Sequence, residues 1–207
     1  MKLGVFAVLA VLLVSGCSDD GDTGAGGLRG SGKVDSSAIE LPDELAGLRD
    51  RSDVVADKSG DDRGTTDRDN FNKSVDLTKA WYDRAYDGAG FGMRAYADDD
   101  LKFLPTVIAV RAPSPGLTGG PIADPEVLGV EAGPSVPAYI ESDGVECIQY
   151  SVTTVPAGKT VDPDDIVTGL CLISDDAHTV FVFGINSGQD NQAKGIELAK
   201  AAFDATD

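Results

Sequence analysis

The chain has 207 residues, 42% hydrophobic and 25% charged, which is enough apolar material for one ordinary domain with some tail left over and too much for a disordered chain. Its 35 acidic residues outnumber 17 basic ones for a net charge of −18, a balance that repels phosphate backbones and argues against nucleic-acid binding, since no basic run interrupts it. A single histidine, His178, leaves little for zinc or histidine-dependent hydrolytic chemistry.

Lys2 precedes a 12-residue apolar run, Leu3 to Val14. The run is shorter than the roughly 20 residues a membrane-spanning helix needs and has the length of a signal-peptide core. It ends in Val14-Ser15-Gly16-Cys17, which resembles the lipobox of bacterial lipoproteins, with Val14 where leucine is usual. The resemblance implies a signal peptide over 1–16, cleavage before Cys17, a lipid on that cysteine and a place on the extracytoplasmic face of the cell membrane. Residues 17–37 then read as a lipidated cysteine and a Gly/Ser/Asp-rich tether with a reach of about 25 Å.

Residues 38–73 form a docking segment and a polar loop. Leu41, Leu45 and Leu48 stand at helical spacing, and Pro42 suits the first turn of a short helix. The stretch from Arg49 to Lys73 is strongly polar, and its pattern fits a loop or a solvated helix equally. The domain proper spans 74–207. Ser74 can cap a helix that Gly88 stops, with Leu77, Trp81 and Ala85 on its inward face and Trp81 as a core anchor. Alternation predicts a strand over Phe91 to Ala97, and a mostly buried partner follows over Phe103 to Arg111.

A Pro- and Gly-rich crossing, Pro113 to Pro137, leads to a third strand, Val145 to Val152, with one helical turn expected at Pro125 to Leu128 on the way. Leu170 to Ser174 and His178 to Ile185 form a hairpin about Asp175-Asp176-Ala177, and a C-terminal helix over Asp190 to Ala205 turns Ile196, Ala199 and Phe203 inward. The expected class is α+β: an antiparallel sheet of about five strands with an N-terminal and a C-terminal helix packed on one face.

With Cys17 assigned to lipid, Cys147 and Cys171 remain as an even pair on adjacent predicted strands, and a disulfide is the economical reading. It closes about 25 residues, worth roughly 3 kcal/mol in the chain-entropy model. His178 has Asp175 and Asp176 just upstream, but a hairpin turn is a solvated place, and the expectation is an exposed histidine without catalytic use. The acidic turns beginning at Asp57 and Asp67 fail the calcium-loop pattern at Asp62, Arg68 and Phe71, so no metal and no other cofactor is expected.

From Leu41 onward the composition, with AYDGAGFGMRAYADDD followed by VIAVRAPSPG, resembles small single-domain surface lipoproteins of high-GC Gram-positive bacteria. That likeness carries no catalytic residues with it. Three functions fit: a non-enzymatic accessory or interaction module with an envelope protein as partner, a carrier holding a lipid or small apolar ligand between sheet and helices, and an envelope hydrolase. The hydrolase is disfavoured by the missing nucleophile–base pair. The carrier draws on a possible groove of Trp81, Tyr82, Tyr86, Phe181 and Phe183.

Overall fold

The computed structural model describes residues 34–114, 138–151, 162, 165–187 and 189–206. The elements in chain order are β1 (Glu44–Leu45), β2 (Leu48–Asp50), α1 (Arg51–Ser59), α2 (Arg63–Ala85), β3 (Phe91–Ala97), β4 (Thr106–Val110), β5 (Ala138–Ser142), β6 (Val145–Ser151), β7 (Ile166–Ser174), β8 (Thr179–Ser187) and α3 (Gln189–Thr206). The strands form one antiparallel sheet in the order β1-β2-β3-β4-β8-β7-β6-β5. The α+β class therefore holds, while the sheet has 8 strands rather than about five. The lipobox, the tether up to residue 33, the helical turn at 125–128 and most of the loop over 153–168 lie outside the described residues, while the expected last tether residues, 34–37, are described and are tied to the domain where the Asp35 carbonyl accepts from the Gly90 N–H.

The added strands are β1, β2 and β5, and two tight turns account for all three. Leu45 pairs with Leu48 and Ser142 with Val145, so each hairpin turns on two residues. Those residues, Ala46-Gly47 and Asp143-Gly144, all have positive φ, between 48° and 79°. Such a turn matches the twist of the flanking strands. The short helix expected around Pro42 is thus a hairpin instead. Leu41, Leu45 and Leu48 are buried nonetheless, through a different backbone.

The central strands alternate between two apolar faces. Val107 and Ala109 of β4 and Val180 and Val182 of β8 meet Leu198, Ala199 and Ala202 of α3 on one side. Ile108 and Val110, Phe181 and, from β7, Leu172 turn to the other side, where Tyr82 of α2 meets them. The expectation of both helices on one face is corrected accordingly. A strand that is apolar at every position exposes hydrophobic surface on both sides, and each side needs its own cover. The first core is closed at its edge by Ile39, Leu41, Leu45 and Leu48.

The polar stretch from 49 to 73 is α1 and the first half of α2. Asp50 caps α1 by accepting from the Ser52 backbone N–H at 2.9 Å. Helix α2 starts at Arg63, so Ser74 is not a cap but a mid-helix residue whose hydroxyl donates to the Phe71 carbonyl. Charge pairs replace apolar periodicity here: Arg51 donates to Asp67 at 3.0 Å and Arg68 to Asp53 at 2.6 Å, each joining α1 to α2. The two helices cross at Gly64, where a Cβ would stand 2.5 Å from the Ala56 Cβ and 2.7 Å from the Ser52 carbonyl oxygen.

Replacing Gly64 by Ala should therefore cost about 1–3 kcal/mol through overpacking, although alanine is the better helix former. Urea denaturation checks this against Leu77→Ala, which lies on the solvent side of α2 and should change stability by no more than about 0.5 kcal/mol.

Candidate functional site

Four of the five proposed groove residues come together on the second face of the sheet. Tyr82 is stacked on Tyr86 at 5.6 Å between ring centroids, tilted against Phe91 at 5.3 Å and edge-on to Phe181 at 6.0 Å. Phe183 stacks on Phe181 at 6.1 Å. These are contact distances between rings, so the space between α2 and the sheet is filled by the side chains themselves. Burial pushes the Tyr82 phenol up to about 12 and also raises that of Tyr86.

Trp81 is the departure. It is 56% exposed and touches the cluster only through the edge of Tyr82, and Leu77 is 77% exposed. The inward face of α2 is Val75, Tyr82 and Tyr86, rather than Leu77, Trp81 and Ala85. A seven-residue step from Val75 to Tyr82 and four more to Tyr86 obeys the same helical spacing as the rejected set. Spacing alone does not choose between two faces that both carry aromatics, and the sheet chose Tyr82. The outward stripe thereby holds two large apolar side chains, with Lys73 four residues before Leu77 and Arg84 three after Trp81.

His178 is also misplaced by the sequence reading. It is 2% exposed, not a solvated turn residue. Its ring stacks on Phe203 of α3 at 4.0 Å, with Nδ1 3.3 Å from Asp175 Oδ1 and Nε2 3.3 Å from the Phe203 carbonyl oxygen. The turn bends over the end of α3, and this buries the ring. The nearby hydroxyl of Ser174 lies 2.7 Å from Thr179 Oγ1 and also contacts the His178 carbonyl oxygen. The histidine therefore pins the β7–β8 hairpin to α3, and its ring nitrogens are spent on Asp175 and Phe203.

Asp175 holds that turn. Its carboxylate accepts from the backbone N–H groups of His178 at 2.8 Å and Ala177 at 2.7 Å. The His178 N–H bond foremost, then that of Ala177 and the adjoining ring, hold the carboxyl below its usual 3.8 against an opposing effect of burial.

The acidic stretches expected as turns are largely helical, with Asp57 on α1 and Asp67 on α2, and their carboxylates are occupied by cations. Asp57 pairs with Arg49, Asp61 with Arg63 and Asp67 with Arg51. Among the described residues no three of His, Cys, Asp and Glu are grouped to hold a metal ion. An open cleft of about 640 Å³ runs beside β3, lined in part by Leu41, Pro42, Met93 and Arg94. Its cation is already satisfied, because Arg94 pairs with Asp43 and stands 3.8 Å from Asp50. The Tyr96 hydroxyl donates to the Pro42 carbonyl at 2.7 Å and holds the segment that forms the cleft wall.

Cys147 and Cys171 are directly opposed across β6 and β7, fully buried and joined in a disulfide. The disulfide is the one the cysteine count led to expect, and it lies in the core that α3 covers. Compared with known protein families, curated proteins and solved structures, the chain matches none.

Two outcomes follow. Alanine at both Cys147 and Cys171 should lower unfolding free energy by about 3 kcal/mol, matched by the wild type in reductant. Asp175 has a lowered folded pKa, so its contribution is full above about pH 3.8 and fades as pH falls through the lower folded value. The stability gap between wild type and Asp175→Asn should be widest near neutrality and close in acid. A gap that stays constant down to acid pH rejects the assignment.

Proposed function

We propose that the chain is a lipoprotein, held by a lipid on Cys17 at the extracytoplasmic face of a cell membrane, whose domain serves as a non-enzymatic accessory or interaction module of the cell envelope. The observation that carries this reading is the sequence Val14-Ser15-Gly16-Cys17 directly after a 12-residue apolar run. The buried Cys147–Cys171 bridge supports it from the folded domain, since such pairs persist in oxidising compartments. Among the described residues no helix is long and apolar enough to cross a membrane. In this reading attachment comes through Cys17.

The geometry of the domain favours interaction over chemistry or carriage. The carrier needs room between α2 and the sheet, where Tyr82, Tyr86, Phe91 and Phe181 stand in ring contact. A histidine-dependent hydrolase needs a nucleophile at the His178 ring, where Asp175 and Phe203 stand instead. The net charge of −18 supplies selectivity of its own, attracting basic partner surfaces and repelling acidic ones.

Mass spectrometry of the mature protein from its own host should find Cys17 as the first residue and carrying a diacylglyceryl group, and Cys17→Ala should abolish both. A mature N-terminus elsewhere, or an unmodified Cys17, removes the lipoprotein reading. Crosslinking of the anchored protein in the cell should then capture one reproducible envelope partner.

A further inference from the structure

We propose that the outward stripe of α2 is a lipid-contacting surface. Leu77 and Trp81 seat at the boundary between headgroups and acyl chains of a phospholipid bilayer, and Lys73 and Arg84 bind its anionic headgroups. The inference rests on the anchored-lipoprotein reading above and adds the face that the domain turns to the membrane.

Leu77, 77% exposed, and Trp81, 56% exposed, form an apolar pair one helical turn apart on the outer side of α2. Lys73 and Arg84 continue the stripe by a turn on either side, and both are exposed. Their lack of a carboxylate partner sets them apart in this protein. Neither has an ion-pair partner among the described residues. Every other described lysine or arginine is paired with an aspartate, apart from Lys194, which lies over the Phe103 ring. A chain of net charge −18 thus leaves its two uncommitted described cations on either side of its only tryptophan. Asp69, four residues before Lys73, and Asp76, three after it, flank that lysine on the helix surface, so the apolar pair and not net charge makes the larger part of the contact.

This set of side chains has a defined chemical fit. Tryptophan prefers the bilayer interface, where its ring is buried and its N–H stays near water, and leucine gains by entering the acyl region. Lysine and arginine beside them reach anionic headgroups on flexible apolar stems. A symmetric contact with a second copy would instead bring the like cations of the two stripes together.

The chain enters the domain near one end of the stripe. The Asp35 carbonyl accepts from the Gly90 N–H at 2.8 Å, and its carboxylate lies 3.7 Å from Arg111. Gly90 follows shortly after the end of α2, so the segment that leads back toward Cys17 joins the domain at the Trp81 end of that helix. Two apolar residues and two cations bind a bilayer weakly on their own. An anchored domain meets the same bilayer at an effective concentration of about millimolar, so a contact too weak to recruit a free protein still orients a tethered one.

Trp81 is the chain's single tryptophan and reports directly on the stripe. The protein purified from its host envelope is placed with vesicles of phosphatidylcholine and phosphatidylglycerol carrying brominated acyl chains. Trp81 emission should shift to the blue and be quenched. Leu77→Asp should abolish both effects, and Lys73→Gln with Arg84→Gln should weaken the contact by about fivefold each, roughly 30-fold together. Unquenched, water-exposed emission from protein that sediments with the vesicles overturns the proposal. So does quenching that survives Leu77→Asp, or a blue shift that arises on concentrating the protein without lipid, the sign of a second copy on the stripe. The mass of the Cys17 peptide, read in the same sample, separates the two readings. Quenched Trp81 with unmodified Cys17 removes the anchor and keeps the contact, and lipidated Cys17 with unquenched Trp81 does the reverse.

Discussion

Strands β4 and β8 are apolar on both sides, and a sheet built around such strands has to be covered twice. Val107, Ala109, Val180 and Val182 face α3, while Ile108, Val110 and Phe181 face α2. Most other features of the domain answer that demand. Helix α3 lies over the first face, with the disulfide beneath it and the β1–β2 hairpin at its edge. The second face receives the end of α2, anchored by one tyrosine whose hydroxyl-bearing ring is largely buried. Burying apolar surface on this scale is the dominant favourable contribution to a fold of this size.

The two covers differ in kind. Helix α3 presents small and branched residues, Leu198, Ala199 and Ala202, that let it approach the sheet closely. Helix α2 makes its contact through aromatics near its C-terminal end and spends the rest of its length on α1 and on solvent. Its N-terminal half is held by Gly64 and by charge pairs rather than by an apolar stripe. A helix attached in this way has a free outer surface by construction, and the residues placed there carry no duty to the fold.

Much of the sheet was legible in the sequence. Alternation located β3, apolar runs between turn signals located β4, β6, β7 and β8, and the cysteine count paired Cys147 with Cys171. The misses share physical causes. The β5–β6 hairpin is announced by Asp143-Gly144, a dipeptide suited to two positive φ values, although β5 itself has no long apolar run. Helix α1 and the start of α2 have no hydrophobic period to find, because Arg51, Arg68, Asp53 and Asp67 hold them together. The choice between Trp81 and Tyr82 as the buried ring depends on where the sheet lies, which one-dimensional spacing does not contain. The burial of His178 depends likewise on the tip of a hairpin meeting a helix 25 residues further along the chain.

The way the chain enters the domain gives it a mechanical character. Residues before β1 run across β3 where Gly92 has no side chain, and Ile39 occupies the vacated space. The first ties along that path are the Asp35–Gly90 hydrogen bond and the Asp35–Arg111 ion pair, followed by the Ile39–Phe91 backbone contact. A load pulling on the N-terminal segment falls on these ties in turn, near the sheet's β3–β4 strands, and reaches the disulfide-bridged β6–β7 pair last. The short segment from Asp35 to Leu41 is thus the part of the domain that meets such a load first.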